Sequence, residues 1–109
     1  MVNQYDVIFI DLNPVRGKEK GKRRPCVVLS DTDFNDKTGF VWVLPITNRS
    51  LKYPTDVPLK TINSSVTGIV DGSQIRTLDL HARDFTVKDK ITSTTIYAIN
   101  DILKRLLNL

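Results

Sequence analysis

Arg16-Gly17-Lys18-Glu19-Lys20-Gly21-Lys22-Arg23-Arg24-Pro25 is the densest run of charge in the chain and lies between two apolar segments. Residues 16–24 hold six of the sixteen Lys and Arg residues, two glycines and a single carboxylate. Glycine lets the backbone turn sharply and approach a ligand closely. Clustered cations suit a polyanion. Pro25 restricts Arg24 to extended backbone, so that side chain leaves the chain from a fixed point. A basic loop hinged on one fixed arginine is able to hold a phosphodiester.

The segments on either side read as strands. In residues 5–12, Tyr5, Val7 and Phe9 alternate with Asp6, Ile8 and Ile10, so both faces are apolar beyond Asp6. Such a strand is buried on two sides or belongs to a tightly curved sheet. Asn13-Pro14 ends it. Residues 25–30, Pro-Cys-Val-Val-Leu-Ser, suit a central strand, and residues 31–39 are turn-rich with a single helical turn. Residues 40–47, Phe-Val-Trp-Val-Leu-Pro-Ile-Thr, are aromatic and β-branched, hence strand, with Pro45 implying a bulge or an edge. Short strands follow at 56–59, 67–70, 73–80 and 87–91, with Asp71-Gly72 as a hairpin-type turn. From Ser93 the period changes. Ile99, Ile102, Leu103 and Leu106 form one stripe of an amphipathic helix, capped by Thr92 or Ser93. Short strands closed by one helix predict a mainly β, α+β chain: a small β-barrel with a C-terminal helix.

Composition bounds the rest. At 109 residues the chain reads as one domain, 1–109. A chain of this length buries roughly 65% of its unfolded surface, enough for a core without covalent staples. One Cys excludes an internal disulfide and a multi-cysteine zinc site, and one His argues against a histidine-rich metal centre. No apolar run approaches the roughly 20 residues that span a bilayer. With no basic-then-apolar leader, the expected compartment is the cytoplasm. The net charge of +4 favours an anionic partner.

The order of these pieces resembles the MazF/PemK/Kid family of toxin endoribonucleases. That family opens with a strand, D-x-x-P, then G-x-E-x-G followed by R-P and an apolar strand. Here those are Asp11-Leu12-Asn13-Pro14, Gly17-Lys18-Glu19-Lys20-Gly21 and Arg24-Pro25. A later P-x-T is matched by Pro45-Ile46-Thr47, and a late glutamine motif by Ser73-Gln74-Ile75-Arg76-Thr77-Leu78-Asp79. The resemblance implies an SH3-like barrel of the CcdB/PemK type, acting as a homodimer in a toxin–antitoxin pair. It implies metal-independent, cofactor-free cleavage of single-stranded RNA, messenger RNA included. The 2′-hydroxyl attacks phosphorus and leaves a 2′,3′-cyclic phosphate and a 5′-hydroxyl. It also implies an antitoxin whose acidic, partly disordered tail occupies the RNA groove.

In-line attack needs a proton acceptor, stabilisation of the charge on phosphorus, and a proton for the leaving oxygen. Arg24 is the candidate for the charge, because a guanidinium binds two phosphate oxygens at once. Thr47, at a strand end, can donate a hydroxyl hydrogen bond to the same oxygens. Glu19, the one carboxylate among the loop cations, can accept from a base edge or a 2′-hydroxyl, and is the third catalytic candidate, a weaker one for the general base. Lys18, Lys20 and Lys22 supply backbone-binding charge. Asn48, Arg49 and Tyr53 offer hydrogen bonding and stacking for splayed bases, and Gln74 and Arg76 offer donors from the opposite side. One branch of the family uses an Arg and an Asp just before the glutamine. Asp71 and Ser73 stand there, so that pair is absent.

The competing reading is a non-enzymatic toxin of the related CcdB-like class, which poisons gyrase through its C-terminal helix. That class carries an aromatic near the helix end, whereas this chain has none after Tyr97. Cys26 reads as a buried thiol, and Trp42 as core or dimer interface.

Overall fold

The computed structural model describes residues 1–109. Seven strands form: β1 (Asp6–Asp11), β2 (Arg23–Val28), β3 (Phe40–Thr47), β4 (Asp56–Pro58), β5 (Ile69–Asp71), β6 (Arg76–Asp79) and β7 (Phe85–Lys90). Two helices accompany them, α1 (Thr32–Thr38) and α2 (Ser93–Leu107). All ladders are antiparallel, in the order β4-β5-β3-β2-β1-β7, with β6 also on β3.

β3 occupies the centre because its apolar, β-branched sequence tolerates neighbours on both edges. One edge meets β2 through Val43, Leu44 and Pro45. The other is divided: β6 pairs with residues 40–43 and β5 with Ile46 and Thr47. Pro45 falls in the gap between those two ladders, where its missing N–H interrupts neither. The division also corrects the expected hairpin. Asp71-Gly72 does turn the chain, but β5 and β6 do not pair with each other. Each pairs with a different stretch of β3.

The expected barrel is not closed. The sheet curls until the ends of β4 and β7 approach, and a single bridge, Thr61 to Ile91, joins them. Ile62 N–H donates to Lys90 O and Thr92 N–H to Lys60 O across that seam. The sheet separates two apolar clusters. Ile8, Ile10, Cys26, Val28, Val41, Val43 and Leu78 pack on one side, and Val7, Val27, Leu44, Ile46, Val57, Val70 and Ile99 on the other. This is the two-sided burial that the doubly apolar β1 predicts.

α2 covers the second cluster with Ile96, Ile99, Ile102 and Leu103. Leu106, expected in that stripe, stays outside it and is 54% exposed. Thr92 is the cap residue, although its side chain makes no capping bond. α1 is longer than the single turn expected. The Asp31 carboxylate accepts from Asp33 N and Phe34 N, and Gly39 closes the helix in the left-handed region.

Two buried carboxylates hold the loops. Burial pushes Asp89 upward, but hydrogen bonds from Lys90, Ser65 and Asn63 outweigh it and keep the carboxyl well below the usual range. At Asp56 the Arg49 guanidinium pulls downward most strongly, burial opposes it, and the Tyr53 and Lys52 amides add to the lowering.

A carboxyl depressed in the folded state stabilises it above the unfolded value, roughly pH 4, and that stability drains away on further acidification. The thermal midpoint, followed by circular dichroism, is therefore expected to hold from neutrality to about pH 5 and to fall steeply below about pH 4. Asp89→Ala leaves the Asn63 and Ser65 donors unpaired. It is expected to cost about 1–3 kcal/mol at pH 7 and to make the acid limb shallower.

Candidate active site

Arg24 is a strand residue, not a loop residue. β2 begins two positions earlier than the apolar pattern implies, and Arg24 stands opposite Ile10 in the β1–β2 ladder. Its Nε–H donates to Gly21 O at 2.9 Å and its Nη1–H to Ile46 O at 3.5 Å. Ile46 O belongs to the peptide that enters Thr47. The β2–β3 ladder ends at Cys26 opposite Pro45, and the same register extended two residues along each strand brings Arg24 level with Thr47. Directly opposite residues of an antiparallel pair lie on one face of the sheet. Both residues are half-buried. Arg24 Nη2 makes no bond within the chain, so one edge of the guanidinium remains free for a ligand.

The backbone at Thr47 is closely supported. Gly68, at φ +132°, passes so near that a Cβ there would stand 2.6 Å from Thr47 O. Only glycine meets both demands. Beneath the arginine lies Cys26, whose thiol is pushed up to about 12 by burial, with Arg24 and Arg76 opposing. It is a packed thiol and no nucleophile at neutral pH.

The basic loop is folded back on itself. Leu12 N–H donates to Lys22 O, and Lys22 N–H to Asn13 Oδ1 at 3.1 Å. Gly21 packs so tightly there that a Cβ would lie 2.8 Å from Asn13 Oδ1. Within the loop, Arg16 N–H donates to Glu19 Oε1 at 2.7 Å and Glu19 N–H returns to Arg16 O. The second oxygen of Glu19 stays uncommitted. Lys18 and Lys22 are exposed and Lys20 is half-buried. A cleft of about 410 Å³ opens beside the loop, lined by Lys18, Glu19, Ser73, Gln74, Ile75 and Arg76.

The structure redistributes several roles that the sequence proposes for base reading. Gln74 precedes β6 instead of lying in it, and its carboxamide faces the loop backbone: Lys20 N–H donates to Oε1 at 2.6 Å and Nε2–H donates to Lys18 O at 3.3 Å. Arg76 Nη1–H donates to Leu12 O. Arg49 is not a free donor. It grips Asp56 with both ends of its guanidinium, at 2.6 and 2.9 Å, and lies 5.4 Å over the Tyr53 ring. Tyr53 itself is 60% exposed, its ring backed by that cation. Asn48 is exposed beside Gly68. Asp71 is buried and accepts from Ser73 N–H and Oγ–H, which commits it to the turn.

Sequence reading missed Arg83. Its Nη1–H donates to Asp11 O and Asn13 O, so Arg83 and Arg76, both distant in sequence, clasp the turn that starts the basic loop. Nothing local marks that role, because the contact spans more than sixty residues. No group of three or more His, Cys, Asp or Glu side chains lies close enough together to hold a metal ion. What does converge is a half-free guanidinium, a threonine on the same sheet face, and a cationic loop with one carboxylate beside an open cleft.

Comparison with known proteins places this geometry. The family model described as "PemK-like, MazF-like toxin of type II toxin-antitoxin system" matches residues 3–107. The chain is 32% identical over 104 residues to the endoribonuclease toxin MazF of Escherichia coli K12, covering 91% of this chain and 92% of that protein. The crystal structure of MazF from Deinococcus radiodurans matches with a TM-score of 0.90 at 28% identity, covering 99% and 97% of the two chains. A crystal structure of MazE–MazF from the same organism matches with a TM-score of 0.83 at 25% identity, covering 99% and 96%. With a family model spanning nearly its whole length, the chain belongs to the PemK-like, MazF-like toxins of type II toxin–antitoxin systems.

Proposed function

We propose that this chain is a toxin endoribonuclease that cleaves single-stranded RNA without a metal ion. The observation that carries the reading is the Arg24 guanidinium, held on the carbonyls of Gly21 and Ile46 beside Thr47 with one edge free. Such a group is already oriented for the charge that grows on the phosphoryl oxygens, so little reorganisation is left for the transition state. The Thr47 hydroxyl donates to the same oxygens. Attack by the 2′-hydroxyl then expels the 5′-oxygen and leaves a 2′,3′-cyclic phosphate. Because arginine keeps its protons in proteins, Arg24 is assigned to charge stabilisation and not to the base role.

Lys18, Lys20 and Lys22 draw the phosphodiester backbone to the loop, and the free oxygen of Glu19 accepts from a base edge or sugar hydroxyl in the cleft. Asn48 and Tyr53 flank Thr47 on the other side. Tyr53 offers an open ring face for a base, and Arg49 holds that ring in place through Asp56. The same cationic groove suits the acidic, disordered tail of an antitoxin, and the MazE–MazF structure of Deinococcus radiodurans supports a toxin–antitoxin pairing.

The functional unit is a homodimer. Phe40 and Trp42 project from one face of β3 at 45% and 47% exposure, and Phe34 of α1 meets Trp42 edge-on. Large aromatics left together on a surface mark an interaction site. A second copy of this chain is the proposed occupant.

Incubation of the pure protein with a long single-stranded RNA in EDTA is expected to give fragments ending in 2′,3′-cyclic phosphate and 5′-hydroxyl, with cutting that weakens as salt rises. RNA left intact at every salt concentration overturns the proposal. Arg24→Ala is expected to keep the fold and lose about 10²–10³-fold in kcat, and wild-type turnover in that variant overturns the arginine assignment. Trp42→Glu is expected to run as a monomer in sedimentation at concentrations where the wild type is dimeric.

A further inference from the structure

The carboxamide of Gln74 makes a pair of bonds that no neighbouring side chain makes. It takes the N–H of Lys20 on its oxygen at 2.6 Å and gives an N–H to the carbonyl of Lys18 at 3.3 Å. Lys18 lies in the turn that Arg16 and Glu19 close and Glu19 in a bend, and the Lys18 carbonyl and the Lys20 N–H both face the carboxamide. One primary amide, offering an acceptor and a donor side by side, therefore spans the bend from Lys18 to Lys20. Gln74 is itself anchored. Its own N–H donates to Asp71 O, and Asp71 is buried with its carboxylate holding Ser73. The loop is thus tied to the sheet at the level of its lysines. Its ends are tied to each other through Lys22 and Leu12, and its C-terminal end to β2 through Gly21 and Arg24.

Resting on the ribonuclease reading of the site, we propose that Gln74 is a positioning residue. It latches the basic loop in the conformation that binds the RNA backbone, and it is not itself a reader of bases. Without the latch, residues 16–20 have only their internal turn between Arg16 and Glu19. The lysines and Glu19 then sample many positions, and each encounter with RNA carries the entropy of ordering them. The bonds exclude the obvious alternatives. A glutamate keeps the acceptor for Lys20 but sets an oxygen against the Lys18 carbonyl, and an asparagine is one methylene short.

The loop's own lysines allow a test that needs no RNA. Trypsin cleaves after Lys and Arg, and cleavage of a fluctuating loop tracks the population of its open form. Gln74→Ala is expected to be nicked within residues 16–22 about tenfold faster than wild type, the worth of two ordinary hydrogen bonds. Its thermal midpoint is expected to stay unchanged. Gln74→Glu is expected to fall between the two. On RNA, the same variants are expected to raise KM by about the same factor with kcat held and the cleavage sites unaltered.

Unchanged nicking in Gln74→Ala overturns the latch. So does a fall in kcat that matches the fall in kcat/KM, because that places the amide at the reacting atoms. An altered set of cleavage sites with wild-type nicking makes Gln74 a base reader and overturns it too. A wild-type protein that leaves RNA intact while the nicking differs as expected defeats the ribonuclease reading alone and leaves the latch standing.

Discussion

β3 is hydrogen-bonded along both of its edges, and the candidate site hangs from its C-terminal end. β2 holds one edge, β6 and then β5 the other. Thr47 closes the strand, Gly68 of the β5 approach supports it from behind, and Arg24 reaches it from the β2 side. A strand held on two edges has little freedom to fray, which is what a site built on positioned hydrogen-bond donors requires. The loops that need mobility branch off where that pairing stops.

Most of the arginine charge is spent on the protein itself. Arg24, Arg76 and Arg83 each donate to main-chain carbonyls around the two ends of the basic loop, and Arg49 is paired with buried Asp56. These guanidiniums act as rigid multi-donor braces, for which a planar fork is better suited than an ammonium. The lysines of the loop donate to nothing through their side chains and stay available to a polyanion. The division of labour follows the two chemistries: arginine fixes geometry and lysine supplies mobile charge.

Much of the architecture was legible before the structure. The span of β3, the apolar faces of β1 and the start of α2 follow from hydrophobic period alone, because periodicity reports burial and burial is most of what orders a small domain. Arg24, Thr47 and the loop cations were equally legible as candidates, through the spacing of Gly, Arg-Pro and Pro-x-Thr. Arg49 and Gln74 show where that legibility ends. Each looked like an exposed donor in a polar segment. Each turns out to be engaged with a group that its immediate sequence does not advertise: Asp56 across a loop, and the Lys18–Lys20 backbone more than fifty residues away.

Sequence alone determined the element types, the breaks between them, the chemistry on offer and its likeness to one toxin family, since these depend on local pattern and residue type. Tertiary structure decided that β5 and β6 share β3 instead of forming a hairpin, that the barrel stays open but for one bridge, and which cations remain free. Those outcomes depend on contacts between residues far apart in the chain. Hydrogen-bond partners at that range are chosen by how the sheet curls, and no short window of sequence contains that geometry.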